Sequence, residues 1–340
     1  MSATFVSSEP PTANSAARTS DRPLLVVEDL AKHFPITRGL FARQVGAIRA
    51  VDGVSFSIGN GETLCIVGES GCGKSTVGRL ILRLIEPSSG RIVLEGEDIT
   101  ALDRASMRPL RQRMQIVFQD PYASLNPRMR AGAIVAEPLE NFVALTAAER
   151  TERIASIFAS VGLPRDAMRK YPFEFSGGQR QRLGIARALA VNPRLIVADE
   201  PVSALDVSIQ AQVLNLMMDL KAEFGLSYLF ISHDLGVVEH MADRVVVMYL
   251  GRIVEVASRA ELFRNPRHPY TRALMAAAPL PDPRAKKERI ILRGDVPSPA
   301  NPPTGCHFHT RCPFAEPRCT VEAPPLRETS SGHQAACHFA

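Results

Sequence analysis

Nine consecutive residues, Gly68-Glu69-Ser70-Gly71-Cys72-Gly73-Lys74-Ser75-Thr76, have the types and the order needed to hold a polyphosphate. Glycines let successive backbone N–H groups curl around phosphate oxygens without obstruction from a Cβ. Lys74 would reach the β- and γ-phosphates, and the Ser75 hydroxyl would ligate Mg²⁺. An acidic pair, Asp199-Glu200, closes an apolar run at 195–198. Asp199 would hold Mg²⁺ directly or through water, and Glu200 would accept a proton from an attacking water as general base. His233 would touch the γ-phosphate or hold that water. Gln119 would join the same face as a further metal ligand. A second glycine motif, Ser176-Gly177-Gly178-Gln179, opens an apolar-periodic segment at 179–190 and reads as another anion site at a helix N-terminus. Ser203-Ala204-Leu205-Asp206 follows the acidic pair closely.

These residues need a sheet with loops at one edge to bring them together. The run 64–67 reads as a short buried strand before the phosphate loop, and 77–85 as the helix after it. Period-two alternation at 51–58, the Gly59-Asn60-Gly61 turn and strand candidates at 24–27, 91–94 and 114–118 predict an antiparallel lobe. Apolar spacing at 147–161, punctuated by Pro164 and Pro172, predicts an inserted helical lobe at about 120–175. Strand signals return at 195–198, 228–231 and 244–249, with a helix at 210–224 between the first two and a hairpin turn at 250–252. That is the βαβ rhythm of a parallel sheet. The expected fold is therefore α/β: a P-loop NTPase core of RecA-like type, with an antiparallel β lobe and a helical lobe. From about residue 263 prolines break regular structure, and four of the six cysteines fall in the last 35 residues. This predicts a small, separate cysteine-containing extension at 263–340 that needs a staple, after a disordered tail at 1–22 and a main domain at 23–262.

At 340 residues and 45% apolar content, one sizeable core and an appended unit are within reach. No apolar run approaches the roughly 18 residues of a spanning helix, so a membrane role would come through a partner. The Ser-, Ala- and Pro-rich residues 1–21 have no signal-peptide core, so a reducing compartment is expected and the cysteines need not form disulfides. A net charge of +5, with scattered basic residues, argues against a nucleic-acid groove.

Taken together, the phosphate loop, Gln119, the Phe175-led Ser-Gly-Gly-Gln motif, Asp199-Glu200, Asp206 and His233 resemble the ATP-binding subunit of ABC transporters, over nearly everything from Leu24 to the end. The resemblance implies ATP with Mg²⁺ and a head-to-tail pair of subunits. In such a pair Ser176, Gly177, Gly178 and Gln179 face the nucleotide of the partner, and the loop ending at Asp206 crosses to the partner's site. The family's usual first residue of the second motif is Leu; Phe175 stands there and implies a packing change only. An aromatic normally stacks on adenine, and Phe34 is the expected residue, with Phe41 as the alternative.

Further segments resemble the dipeptide and oligopeptide importer subfamily, specifically its F-type subunit. They are Val117-Phe118-Gln119-Asp120-Pro121-Tyr122-Ala123-Ser124-Leu125-Asn126-Pro127-Arg128, His268-Pro269-Tyr270-Thr271-Arg272-Ala273-Leu274 and the proline motif at 297–303. That resemblance implies a paralogous ATP-binding partner, two transmembrane permease subunits, one of which docks a coupling helix near 119–138, and an extracytoplasmic peptide-binding protein. It implies a peripheral position on the cytoplasmic face of a bacterial inner membrane. Nickel complexes, glutathione and oligosaccharides are alternative cargoes, and a soluble non-transport ABC ATPase is an alternative of another class. Cys306, Cys312, Cys319 and Cys337, with five, six and seventeen residues between them, lack the tight knuckle of structural zinc. A [4Fe–4S] cluster, Zn²⁺ and unmetallated thiols all remain open on spacing; the resemblance implies the cluster.

Overall fold

The computed structural model describes residues 22–39, 43–277, 292 and 294–340. Residues 1–21 of the tail expected at 1–22, Phe41, and Pro279, Pro281 and Pro283 lie outside the described residues.

An antiparallel sheet of four strands begins the chain, in the order β2-β1-β4-β5. Its members are β1 (Leu25–Arg38), β2 (Arg43–Ile58), β4 (Ser89–Leu94) and β5 (Glu97–Asp98). Residues 36–38 and 43–50 lengthen β1 and β2, which pair antiparallel with Phe34 opposite Ile48 and Ile36 opposite Gly46.

A second sheet carries the chemistry, in the order β11-β12-β10-β9-β3-β8-β7-β6. Here β3 is Thr63–Val67, β6 Met114–Val117, β7 Leu195–Asp199, β8 Ser227–Ser232 and β9 Arg244–Tyr249. These five strands run parallel. Every residue of β3, β7 and β8 is buried, as expected of strands covered on both faces. The antiparallel β10 (Arg252–Ser258) follows β9 through Leu250 and Gly251, whose φ values of 44° and 76° are those a tight two-residue hairpin turn requires.

Helices cover the faces. They are α1 (Lys74–Ile81), α2 (Arg104–Arg113), α3 (Pro121–Ser124), α4 (Ala131–Phe142), α5 (Ala147–Ser160), α6 (Gly177–Leu189), α7 (Val207–Phe224), α8 (Leu235–Met241), α9 (Arg259–Arg264), α10 (Pro269–Ala277) and α11 (Pro317–Val321). Between β6 and β7, α4 and α5 pack on α6 with Ile134, Leu139, Ile157 and Phe158 buried, and Phe175 joins that core. Thr146 and Glu149 close a capping box at the start of α5.

The cysteine-rich extension does not stand apart. Its hairpin, β11 (Arg327–Ser330) and β12 (His333–Ala335), adds to the edge of the main sheet, with Glu255 opposite Ala335. Phe308 is buried in the main core between Tyr249 and Tyr270, with ring centroids 5.3 and 5.4 Å away. His333 Nε2 lies 2.7 Å from Glu255 Oε1, both side chains fully buried. Edge pairing and one aromatic cluster join the extension to the main sheet.

Candidate nucleotide-binding site

Parallel strands end on one edge of the sheet, and each brings a loop there. The phosphate loop follows β3, Gln119 lies just past β6, Asp199 and Glu200 end β7, and His233 follows β8. Ligands of open α/β sheets bind at this carboxyl edge. A cleft of about 680 Å³ opens there, of a size ordinary for ligand pockets. Its walls include residues 68–71 and 73–76 of the loop with Gln119, Glu200 and His233; the expected site residue Cys72 is not among them.

The loop's shape depends on its glycines. At Gly68 φ is 153°, and a Cβ would meet the Met248 carbonyl oxygen at 2.2 Å. At Gly73, the N-cap of α1, φ is 103° and a Cβ would meet the Ala50 carbonyl oxygen at 2.1 Å. Neither position accepts a side chain without backbone movement. Lys74 is buried, and its ammonium donates to the carbonyls of Gly68 at 2.8 Å and Glu69 at 3.0 Å. Those contacts hold the charge across the mouth of the loop. Cys72 is buried behind the loop, and burial pushes its thiol pKa up, so it packs rather than reacts.

Ser75 Oγ donates to Asp199 Oδ1 at 2.7 Å. Burial raises the Asp199 carboxyl above its ordinary range, opposed by the Ser75 hydroxyl. Glu200 has φ of 47°, a left-handed conformation uncommon outside glycine. Its N–H donates to the Ile231 carbonyl, and its own carbonyl accepts from Ser203. That kink turns the carboxylate out of the strand line. Glu200 Oε2 accepts from Gln119 Nε2 at 2.8 Å and lies 3.1 Å from His233 Nδ1. A base held by an amide and an imidazole at the cleft is the arrangement a water-activating carboxylate needs.

Ser176, Gly177, Gly178, Gln179 and Asp206 do not line this cleft. Ser176 and Gln179 form a capping box at the start of α6, the Gln179 N–H donating to Ser176 Oγ and the Ser176 N–H to Gln179 Oε1. Ser176, Gln179 and Asp206 are exposed. Phe34 is also outside the lining; it pairs across the hairpin with Ile48, which does line it, and the Lys32 ammonium lies 5.2 Å above its ring.

Sequence reasoning missed Ile48, Ala50, Leu274 and Pro299, which complete the walls. Ile48 and Ala50 arrive through hairpin register, and Pro299 through its carbonyl, which accepts from the Arg49 N–H at 3.0 Å. Only the segment ending at Leu274 and the proline motif around 299 carried any signal, and neither said anything of location.

The cysteines gather without closing. Burial first, then the neighbouring thiols Cys319, Cys312 and Cys337, push the Cys306 thiol up to about 11. The Cys306 N–H donates to the Cys319 carbonyl at 2.8 Å, tying two segments of the extension together. Among the described residues, however, no three His, Cys, Asp or Glu side chains stand close enough to hold one metal ion. Neither the expected cluster nor its zinc alternative therefore meets a formed ligand set among the described residues, although the thiols approach within electrostatic range of one another.

Among the described residues, no helix is long and apolar enough to cross a membrane. Residues 51–203 match the ABC transporter family, and residues 254–319 match the C-terminal region of oligopeptide/dipeptide transporters. The chain is 58% identical to a probable peptide ABC transporter ATP-binding protein of Sinorhizobium fredii, covering 93% of this chain and 89% of that protein. It is 56% identical to the oligopeptide transport ATP-binding protein AppF of Bacillus subtilis, over 93% and 97% of the two chains. It is 51% identical to the dipeptide transport ATP-binding protein DppF of Escherichia coli, over 94% and 95%. Among solved structures, a dimeric post-hydrolysis state of the ATP-binding cassette MJ0796, bound to ADP and phosphate, matches with TM-score 0.62 and 28% identity, over 69% of this chain and 98% of that one.

Proposed function

This chain belongs to the ATP-binding proteins of peptide ABC transporters, and from that premise we infer that it is the ATP-hydrolysing subunit of a bacterial peptide importer. The observation that carries the catalytic part is the Gln119–Glu200–His233 constellation facing the phosphate loop across one cleft. Lys74 and the loop N–H groups bind the β- and γ-phosphates. Glu200 takes a proton from the attacking water, while Gln119 and His233 orient the carboxylate and the γ-phosphate. Magnesium fits the Ser75 hydroxyl and Asp199 carboxylate, an oxygen donor set completed by phosphates, and when bound neutralises charge developing on them.

The exposed Ser176–Gln179 cap and Asp206 have no use at their own cleft. We assign them to the nucleotide of a paralogous partner in a head-to-tail pair, with Phe34 beside the adenine. Two permease subunits and an extracytoplasmic peptide-binding protein complete the machine, which places this subunit peripherally on the cytoplasmic face of the inner membrane. Cys306, Cys312, Cys319 and Cys337 are assigned to a [4Fe–4S] cluster. Four thiols within electrostatic range of one another support that reading, since thiolates are the ligands such a cluster would take. Such a cluster would tie the extension's loops together.

Affinity purification of the tagged chain from its own membranes tests the assignment. Recovery with two transmembrane subunits, and ATP turnover raised by peptide-loaded binding protein, is the expected result. Recovery with ribosomes or DNA instead would refute it. For the cysteines, a visible iron–sulfur absorbance band lost in Cys312→Ser is expected; stoichiometric zinc without that band would overturn the cluster.

A further inference from the structure

We propose that Arg311, in the C-terminal extension, is a positioning residue for ATP: its guanidinium cancels the Glu69 carboxylate inside the phosphate loop and so lets a loop that contains an acid bind a polyanion. The inference rests on the nucleotide-site reading above.

A carboxylate is an odd component of an anion-binding loop, because like charge disfavours the ligand. Glu69 is nonetheless the second residue of this one. Both of its carboxylate oxygens are taken by one group: Arg311 Nη1 donates to Oε2 at 2.6 Å and Arg311 Nη2 to Oε1 at 3.0 Å. The geometry is the two-pronged match of a guanidinium to a carboxylate, which no lysine reproduces. The Arg311 side chain is only 7% exposed, against 27% for Glu69, so water screens the pair weakly.

The rest of Glu69 is equally fixed. Its N–H donates to Tyr270 Oη at 2.8 Å, and its carbonyl accepts from the Lys74 ammonium. Tyr270 belongs to α10, and Arg311 is anchored beside it, its N–H donating to the Phe308 carbonyl at 3.0 Å and its guanidinium lying 5.9 Å from the centre of the Tyr249 ring. The aromatic cluster of Tyr249, Tyr270 and Phe308 therefore carries both groups that grip the loop. Arg311 and Glu69 are 242 positions apart, and no local motif links them.

The test is equilibrium binding of a fluorescent ATP analogue to the full-length chain and its variants, with Lys74→Ala as the non-binding control. Arg311→Met should weaken binding about tenfold, the scale of one uncompensated charge, or about 1.4 kcal/mol. Glu69→Gln, a near-isostere that leaves the Arg311 cation uncompensated beside the loop, should bind more tightly than the wild type. The double variant Glu69→Gln/Arg311→Met should recover most of the lost affinity, and raised salt should narrow the gap between Arg311→Met and the wild type. Recovery in the double variant is the readout that a purely structural arginine would not produce. Wild-type affinity in Arg311→Met, or a double variant as weak as Arg311→Met, overturns the proposal. If Arg311→Met does not fold, Glu69→Gln decides alone: binding no tighter than the wild type overturns charge cancellation. A wild type that fails to bind the analogue, by contrast, overturns the nucleotide-site reading itself.

Discussion

Glu200→Gln separates binding from chemistry at this site. The substitution keeps the size and removes the ability to take a proton. Nothing in the backbone depends on the side chain: the Glu200 N–H is bound to the Ile231 carbonyl, and the Glu200 carbonyl is held by the Ser203 N–H and hydroxyl. The φ of 47° is thus imposed by the β7–β8 edge and survives the change. What alters is Oε2, the atom that accepts from Gln119 at 2.8 Å and faces His233 at 3.1 Å. A glutamine oxygen still accepts from the Gln119 amide, so the local network persists with a base of negligible proton affinity.

A positioned general base typically contributes about 10²–10⁴-fold. That corresponds to roughly 3–5 kcal/mol of activation free energy. Turnover of the assembled transporter should fall by that factor, while the ATP dissociation constant stays within about threefold, since Lys74, Ser75 and the loop N–H groups are untouched. Phosphate release at saturating ATP gives the first quantity and equilibrium nucleotide binding the second. Turnover within about threefold of the wild type would refute the general-base role. A loss confined to affinity would refute it too, because it would make Glu200 a ligand-binding group.

Two predictions concern the extension. His333→Ala removes the side-chain partner of the fully buried Glu255, leaving that carboxyl with the Arg267 and His268 N–H groups at 2.6 and 2.9 Å. Breaking a buried pair costs about 3–5 kcal/mol, and with two donors retained the lower end is expected, read as a reduced denaturant midpoint; an unchanged midpoint contradicts the role given to this contact. Burial, and to a smaller degree Arg272, depresses His268 to about 3, and its Nδ1 accepts from the Tyr270 N–H. The folded state therefore keeps this imidazole neutral while the unfolded chain protonates it below about 6.5, so stability is fully present above that pH and falls between about 6.5 and 3. Acid unfolding curves of the wild type and His268→Asn should diverge in that window, and parallel curves would count against the assignment.

The motifs that could be read directly are those whose chemistry is local. A glycine loop between a buried strand and a helix needs only its neighbours to take shape, and the acidic pair needs only the end of β7. Their convergence followed from the parallel βαβ rhythm, which puts every such loop on one edge. The hairpin of β1 and β2 was harder. Residues 36–50 mix charged and apolar side chains without clean alternation, and the irregular register, with shifts at several points along β1, shows why. A strand that slips its register does not keep one face apolar.

Long-range pairings left no comparable trace. Composition drew a boundary near 263, yet residues on either side of it are packed together: Glu255 with His333, Tyr249 with Phe308, Glu69 with Arg311. Each of these joins residues far apart in the chain, and neither member names its partner. An isolated Glu in a phosphate loop or a lone buried-strand Glu at 255 is a local contradiction, a charge where the local rule wants none. Such contradictions are the signal sequence reading could have used. An acid in an anion loop demands a cation from somewhere, and a Glu in an apolar strand demands a partner. Here both demands are met by the extension, which also lends Leu274 and Pro299 to the walls of the cleft. Ending the chain near 262 would therefore strip the nucleotide site of wall, anchor and counter-charge together, so the extension belongs to the ATPase rather than being appended to it.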